Sequence, residues 1–159
     1  MLSAENLLRA ASLFPAALAT GALIVNWIGL ARAMLRLSSA SAYIEFHQAS
    51  STSFDPYMPV LVNAAAVGGI VLAVVAPDAL SIQCALAVLG ALGYLGIVVF
   101  SLRTNVRMNR QIARWNAQDP PGDWQAVRAR WVRFHILRTL ISVPALLFYL
   151  LSALDQTSP

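Results

Sequence analysis

Four stretches of the chain, at about 11–30, 57–76, 80–100 and 134–154, carry few polar side chains and, apart from Arg138 near the start of the last, no charge. A hydrocarbon layer about 30 Å thick needs about 20 helical residues to cross, and each stretch has that length. Strand-like alternation is absent, and backbone groups in lipid must bond within their own segment. The pattern therefore predicts an all-α fold, a four-helix transmembrane bundle formed as a single integral membrane domain over 1–159.

Local chemistry marks the ends of these stretches. Asp55-Pro56 reads as an N-cap followed by proline at the first helical position, where a missing N–H costs least. Pro77-Asp78 closes the second span and offers Asp78 as the cap of the third, a connection so short that the two spans form an antiparallel hairpin. Gly90, Gly93 and Gly96 on the third span, with Ala64, Ala65, Gly68 and Gly69 on the second, predict close helix contacts. Pro144 should kink the fourth span. Beyond the third span, Arg103, Arg107, Arg110 and Arg114 repeat at spacings of four, three and four, one stripe on a helix that overshoots the bilayer. After the turn sequence Asp119-Pro120-Pro121-Gly122-Asp123, the residues Trp124, Val127, Trp131 and His135 keep helical spacing into the fourth span. Helices 3 and 4 should thus extend as a cytoplasmic helical hairpin. The Ser/Ala-rich segment 37–54 is readable as an interfacial helix or an ordered loop, and periodicity does not decide.

Composition supports the membrane reading: 58% of the residues are hydrophobic and 11% charged, with a mean hydropathy of +0.66. Arginine sets the orientation. Arg32, Arg36, Arg103, Arg107, Arg110, Arg114, Arg128, Arg130, Arg133 and Arg138 all fall on one side of the four-span topology, which leaves Arg9 with Glu5, Asp78 and Asp155 on the other. The arginine-rich side should be cytoplasmic and both termini outside, in a bacterial inner membrane. Charge gathered at helix ends points to headgroup contact rather than nucleic acid. Cys84 is the single cysteine, so neither a disulfide framework nor a thiolate metal cluster is available. Arg9 precedes a long apolar run with no clear cleavage signal, so the first span is expected to be retained.

The arginine-rich side also holds Glu45, His47, Gln48, Asn105, Asn109, Trp131, His135 and Arg138. Two antiparallel helices joined near residue 120 rise equally per residue, which brings Asn105 to the level of His135 or its neighbour and Asn109 to that of Trp131. Trp131, His135 and Arg138 share one face of the fourth helix. The segment 37–54 returns to the same surface and can lay Glu45 and His47 over the groove. As an i, i+2 pair these two diverge on a helix and share a face only if extended.

Each of these residues also has a plain structural reading. Arg138, about one turn inside the hydrocarbon boundary, either snorkels to headgroups or turns inward to Glu45 or an anionic substrate oxygen. His135 is either a satisfied interfacial side chain or part of a site. Asn105 and Asn109 cross-link helices or bind ligand, and Trp131 anchors at headgroup level or stacks on a substrate. The chain contains no Gly-rich phosphate loop, His-x-x-x-His pair, serine nucleophile elbow or pair of intramembrane histidines suited to haem.

At Asn105-Val-Arg-Met-Asn109, followed by Arg130-Trp131-x-x-x-His135-x-x-Arg138, the chain resembles the anthrone oxygenase-like family of small integral membrane proteins. Glu45-x-His47-Gln48 and Met58-Pro59 extend the resemblance over nearly the whole chain; Arg107 departs from it, since members often carry a small residue or proline there. The resemblance implies oxidation of a polyketide anthrone to an anthraquinone by molecular oxygen, without flavin or haem. An anthrone has an acidic benzylic methylene, and its carbanion can pass an electron directly to oxygen. A base and an anion site then suffice: His135 or His47 as base, Arg138 with Asn105 or Asn109 for the developing oxyanion, and Trp131 for stacking on the ring.

The reading is therefore a membrane-embedded monooxygenase without cofactor, with His135, His47, Glu45, Arg138, Asn105 and Asn109 catalytic and Trp131 and Gln48 binding substrate. Its expected partners are a small hydrophobic aromatic substrate, O2 and membrane lipids, not nucleic acid; the small-residue faces permit a homo-oligomer. Two alternatives stand beside it: a copper- or iron-dependent membrane oxidase using Glu45, His47 and His135, and a non-catalytic lipid-binding or scaffold protein acting through the basic hairpin.

Overall fold

The structure, a computed structural model, describes residues 3–76 and 78–154 apart from the side chain of Glu5. Pro77, Asp155 and the Glu5 side chain, all part of the sequence reading, lie outside the described residues.

Ser3 Oγ accepts a hydrogen bond from the Asn6 backbone N–H and so begins α1 (Ala4–Val25). This helix runs on through a π-helical turn, Asn26–Ala31, into α2 (Arg32–Arg36). The segment left open by its periodicity is helical: α3 spans Ala40–Phe54, with Ser39 Oγ accepting from Ala42 N. Next come α4 (Met58–Val74) and α5 (Ile82–Arg103); after a break at Thr104 (φ −123°, ψ −89°) follow α6 (Asn105–Ile112) and the long α7 (Trp124–Ala153). Helices build the fold, and no strand occurs among the described residues beyond one bridge between Asn116 and Asp119.

Three helices are long and apolar enough to cross a membrane: Asn6–Arg36, Ile82–Ile112 and Trp124–Ala153. α3 and α4 pass the same test only together, bent by 44° at the break between them. α4 supplies the apolar part of that pair, while α3 is rich in serine and polar side chains. α1 packs on α4, α4 on α5, α5 on α7 and α7 on α1, so the four close into a ring.

Two local readings are corrected. Asp55 does not cap α4: it follows directly on α3, its N–H bonded to Ser51 O, and α4 begins at Met58 with Pro59 in its first turn. Proline at the second helical position is as compatible with a helix start as at the first, since neither N–H has an intrahelical partner. Likewise Ser81, not Asp78, caps α5, its Oγ accepting from Cys84 N; Asp78 Oδ1 instead accepts from Leu80 N in the preceding turn.

Small residues do let the helices close up, at particular positions. The Tyr149 ring fills the space over Gly69 and Gly90, and its hydroxyl donates to Ala65 O at 2.9 Å. Gly68 lies against the Ser12 backbone and Gly93 against Ala145. Gly96 faces open space instead, outside that contact surface. Tyr94 stacks on Tyr149, donates to Ala16 O and shares a 2.8 Å hydrogen bond with Thr20. With no hydrophobic drive between helices in lipid, such packing and hydrogen bonds hold the ring together. A second cluster, built on Ala31, Met34, Tyr43, Ile44, Ile112 and Trp131, joins α2, α3, α6 and α7 at the arginine-rich end.

Candidate functional site

A cavity of about 290 Å³ is walled by α1, the π turn, α2, α3, α4, α5, α6 and α7. Met34, Phe54, Met58, Val62, Ile97 and Val98 make most of its surface apolar. Into this wall are set Asn26, Asp55, Asn105, Asn109, Trp131 and Arg138.

The arginine is held from behind. His135, fully buried, meets Leu23 O through Nε2 at 3.1 Å. A carbonyl can only accept, so Nε2 carries the proton and Nδ1 is left with its lone pair. That lone pair accepts from Arg138 Nε at 3.1 Å and from Nη2 at 2.7 Å. Leu23 lies just ahead of the π turn, where the helix hydrogen-bond register shifts by a residue. Both nitrogens of His135 are thus committed, and the side chain that reaches the cavity is Arg138.

Asn109 organises the second half of the site. Trp131 Nε1, which can only donate, gives a 2.7 Å hydrogen bond to Asn109 Oδ1, and this fixes the orientation of the amide. His47 Nε2–H donates to the same oxygen at 3.3 Å, and Asn109 Nδ2 donates to Asp55 Oδ1 at 3.2 Å. His47 Nδ1 faces the Tyr43 hydroxyl at 3.5 Å. Asn105 Nδ2 donates to Trp131 O at 3.2 Å. The Trp131 ring lies parallel to His135 with centroids 5.3 Å apart, and edge-on to His47 at 5.0 Å.

Electrostatics separate the titratable groups. Burial pulls His47 down to about 4, only partly opposed by its bond to Asn109, so the imidazole is neutral near pH 7. Burial raises the Asp55 carboxyl, while the Asn109 amide and then the Arg138 charge draw it back. Asp55 and Arg138 both line the cavity and attract each other, yet no ion pair joins them among the described residues.

The sequence-derived candidates divide accordingly. Asn105, Asn109, Trp131 and Arg138 line the cavity, with His135 and His47 directly behind them. Glu45 lies elsewhere: two residues before His47 on a helix, it points outward and accepts from Ser41 Oγ. Gln48 donates to Ile112 O and Trp115 O, closing the end of α6 rather than meeting the cavity. Helical geometry also undoes the metal trio of Glu45, His47 and His135, and no group of three His, Cys, Asp or Glu suited to a metal ion occurs among the described residues.

Two wall residues escaped the sequence reading. Asp55 was masked by its proline neighbour, which gives the dipeptide a strong capping meaning. Asn26, an isolated amide in an apolar run, carried a signal; its Oδ1 is buried without a partner among the described residues.

No curated protein and no solved structure is similar enough to match the chain. The family model described as anthrone oxygenase matches residues 51–148, which include Asp55, Asn105, Asn109, Trp131, His135 and Arg138. With a match over more than half its length, and a membrane-type helical ring around this cavity, the chain belongs to the anthrone oxygenase family.

Proposed function

We propose that the protein is a membrane-embedded oxygenase that oxidises an anthrone-like or other polycyclic aromatic substrate with molecular oxygen. The observation that carries this reading is the Arg138 guanidinium, aimed by His135 at an apolar cavity in a chain of this family. At about 290 Å³ the cavity compares with the smaller ligand pockets, which begin near roughly 300 Å³, and its apolar lining suits a flat ring system.

Loss of a methylene proton gives a carbanion whose charge spreads to the ring carbonyl, where Arg138 receives the developing oxyanion. The carbanion passes an electron to O2, the two radicals couple to a peroxide, and loss of water leaves the quinone. Both methylene hydrogens and one oxygen atom end in water, and the other oxygen atom becomes the new carbonyl. No cofactor is called on by these steps. Asn26 Oδ1 offers an acceptor to a ring hydroxyl, and Asn105 and Asn109 flank the ring. Trp131 contributes a cavity wall, one face already covered by His135. His135 acts in this reading by holding Arg138, and His47 by holding Asn109.

The proposal includes four spans, with α4 as the second, both termini outside and the site on the cytoplasmic side of a bacterial inner membrane, in keeping with the arginine distribution. Substrate and O2, both lipid-soluble, would enter from the bilayer. The test is aerobic incubation of the purified, detergent-solubilised protein with anthrone, following O2 uptake and quinone absorbance. Equimolar uptake and quinone formation, lost in Arg138→Met, supports the reading; no rate above the protein-free control contradicts it.

A further inference from the structure

The two histidines are poor places for a substrate proton. His135 is wholly buried and His47 almost so, and each has both ring nitrogens facing a partner. A proton taken by either would have to displace a hydrogen bond and would find no direct way out to water.

Asp55 differs on every count. It lines the cavity, yet its residue is exposed on the other side, so a proton it accepts can leave to solvent. One carboxylate oxygen, Oδ1, takes the Asn109 Nδ2 hydrogen bond, and this leaves Oδ2 without a bonded partner among the described residues. Asn109 is itself locked by Trp131 and His47, so the carboxylate is oriented through a chain of fixed groups. Arg138 lines the same cavity, a charge that Asp55 attracts without forming an ion pair among the described residues. The titratable groups around Asp55 are thus the charged Arg138 from α7 and, through Asn109, the neutral His47 from α3. A ligand lying between the two meets a base at one edge and an anion site at the other, the polarity a carbon acid needs to ionise.

We infer that Asp55 is the catalytic base, its carboxylate accepting the methylene proton of the aromatic substrate while Arg138 receives the negative charge at the ring carbonyl. The inference rests on the proposed oxygenase reading. The C–H bond breaks, the proton forms an O–H bond on Asp55, and the electron pair enters the ring system as the enolate. After the enolate has passed an electron to O2 and the radicals have coupled, the Asp55 carboxyl returns its proton to the peroxide anion. The carboxylate then removes the second methylene proton as the O–O bond breaks, and the departing hydroxide takes that proton as water. The methylene carbon loses four electrons and O2 gains four, so the residue is restored and the balance closes.

The two half-reactions can be watched separately with anthrone as the probe. Under argon in D2O, deuterium entry at the methylene reports proton transfer alone; in air, quinone absorbance reports the whole reaction. Wild-type protein should accelerate both, and Asp55→Asn, which keeps the Asn109 contact, should lower both by on the order of 10²–10⁴-fold. Asp55→Glu should retain part of the exchange with a shifted acid limb in its pH profile. Exchange at the wild-type rate in Asp55→Asn, alongside quinone formation by the wild type, overturns the assignment and leaves the oxygenase reading standing. A wild type that forms no quinone overturns that reading and the assignment with it. If Asp55→Asn does not fold, Asp55→Glu decides: an unmoved pH profile at the full rate overturns the assignment.

Discussion

His135 Nδ1 accepts two hydrogen bonds from Arg138, 3.1 Å from Nε and 2.7 Å from Nη2, while its opposite nitrogen is committed to Leu23 O. A neutral imidazole serves here as a bracket between the π turn of the first helix and a guanidinium on the last. His135→Phe keeps the stacked ring over Trp131 but leaves the buried guanidinium without its acceptor, while Leu23 O retains the Asn26 N–H and the Thr139 hydroxyl. It should destabilise the protein by about 3 kcal/mol in thermal unfolding, with KM raised and kcat reduced. Because the role is positioning, the residual activity should keep the wild-type pH profile; a lost base would change it.

Arg138 itself can be tested by conservative and drastic replacement. Arg138→Lys retains charge but not the two-pronged contact with one nitrogen, and its kcat/KM with anthrone should fall by about tenfold, the order set by one lost charged hydrogen bond. Arg138→Met removes the anion site and should lower kcat by on the order of 10²–10³-fold. Steady-state kinetics on protein matched for folding by size-exclusion chromatography checks both.

Parts of this arrangement were readable before any coordinates. The meeting of Asn109 with Trp131 follows from equal rise on either side of a turn near residue 120, and the two side chains are joined at 2.7 Å. The direction of Glu45 was not readable: polar residues in α3 lie on several faces, so no apolar period distinguished helix from loop. Asp55 was hidden because local capping preference and a tertiary role favour the same residue type, and only coordinates tell them apart. The bracket around Arg138 depends on a backbone carbonyl more than a hundred residues earlier, next to a π turn that leaves no mark in the sequence. Apolar length alone located the helix ring, since lipid imposes that constraint on every span.

Packing in the ring gives a separate prediction. A methyl group added at Gly69 or Gly90 would run into the Tyr149 ring, whereas one at Gly96 meets nothing. Gly69→Ala and Gly90→Ala should each destabilise by about 1–3 kcal/mol, and Gly96→Ala should be neutral or mildly stabilising, glycine being the poorer helix former. Thermal unfolding in detergent measures this. Combining Gly69→Ala with Tyr149→Leu should recover much of the loss, as expected when two residues share one space.

The pH dependence of stability carries the mark of His47. Its folded value, about 4, lies below the ordinary value of 6.5, so between these limits the unfolded chain binds the proton and the native one does not. Stability should be full above about pH 6.5 and decline as the pH falls toward 4, by about 3 kcal/mol in all. Asp55, raised by burial, contributes with opposite sign at the acid end, gaining native-state protonation as the pH falls. Unfolding temperatures recorded across this window should lose the His47 limb in His47→Gln and keep it in Asp55→Asn.

The central claim, that a carbon acid ionised between Asp55 and Arg138 reacts with O2, is tested most directly by isotope. Anthrone turned over by the wild-type protein under heavy-isotope O2 should give quinone with one labelled oxygen atom and release the other as labelled water, read by mass spectrometry. Quinone that takes its new oxygen from labelled solvent water instead, or a yield no greater than that without protein, would contradict it.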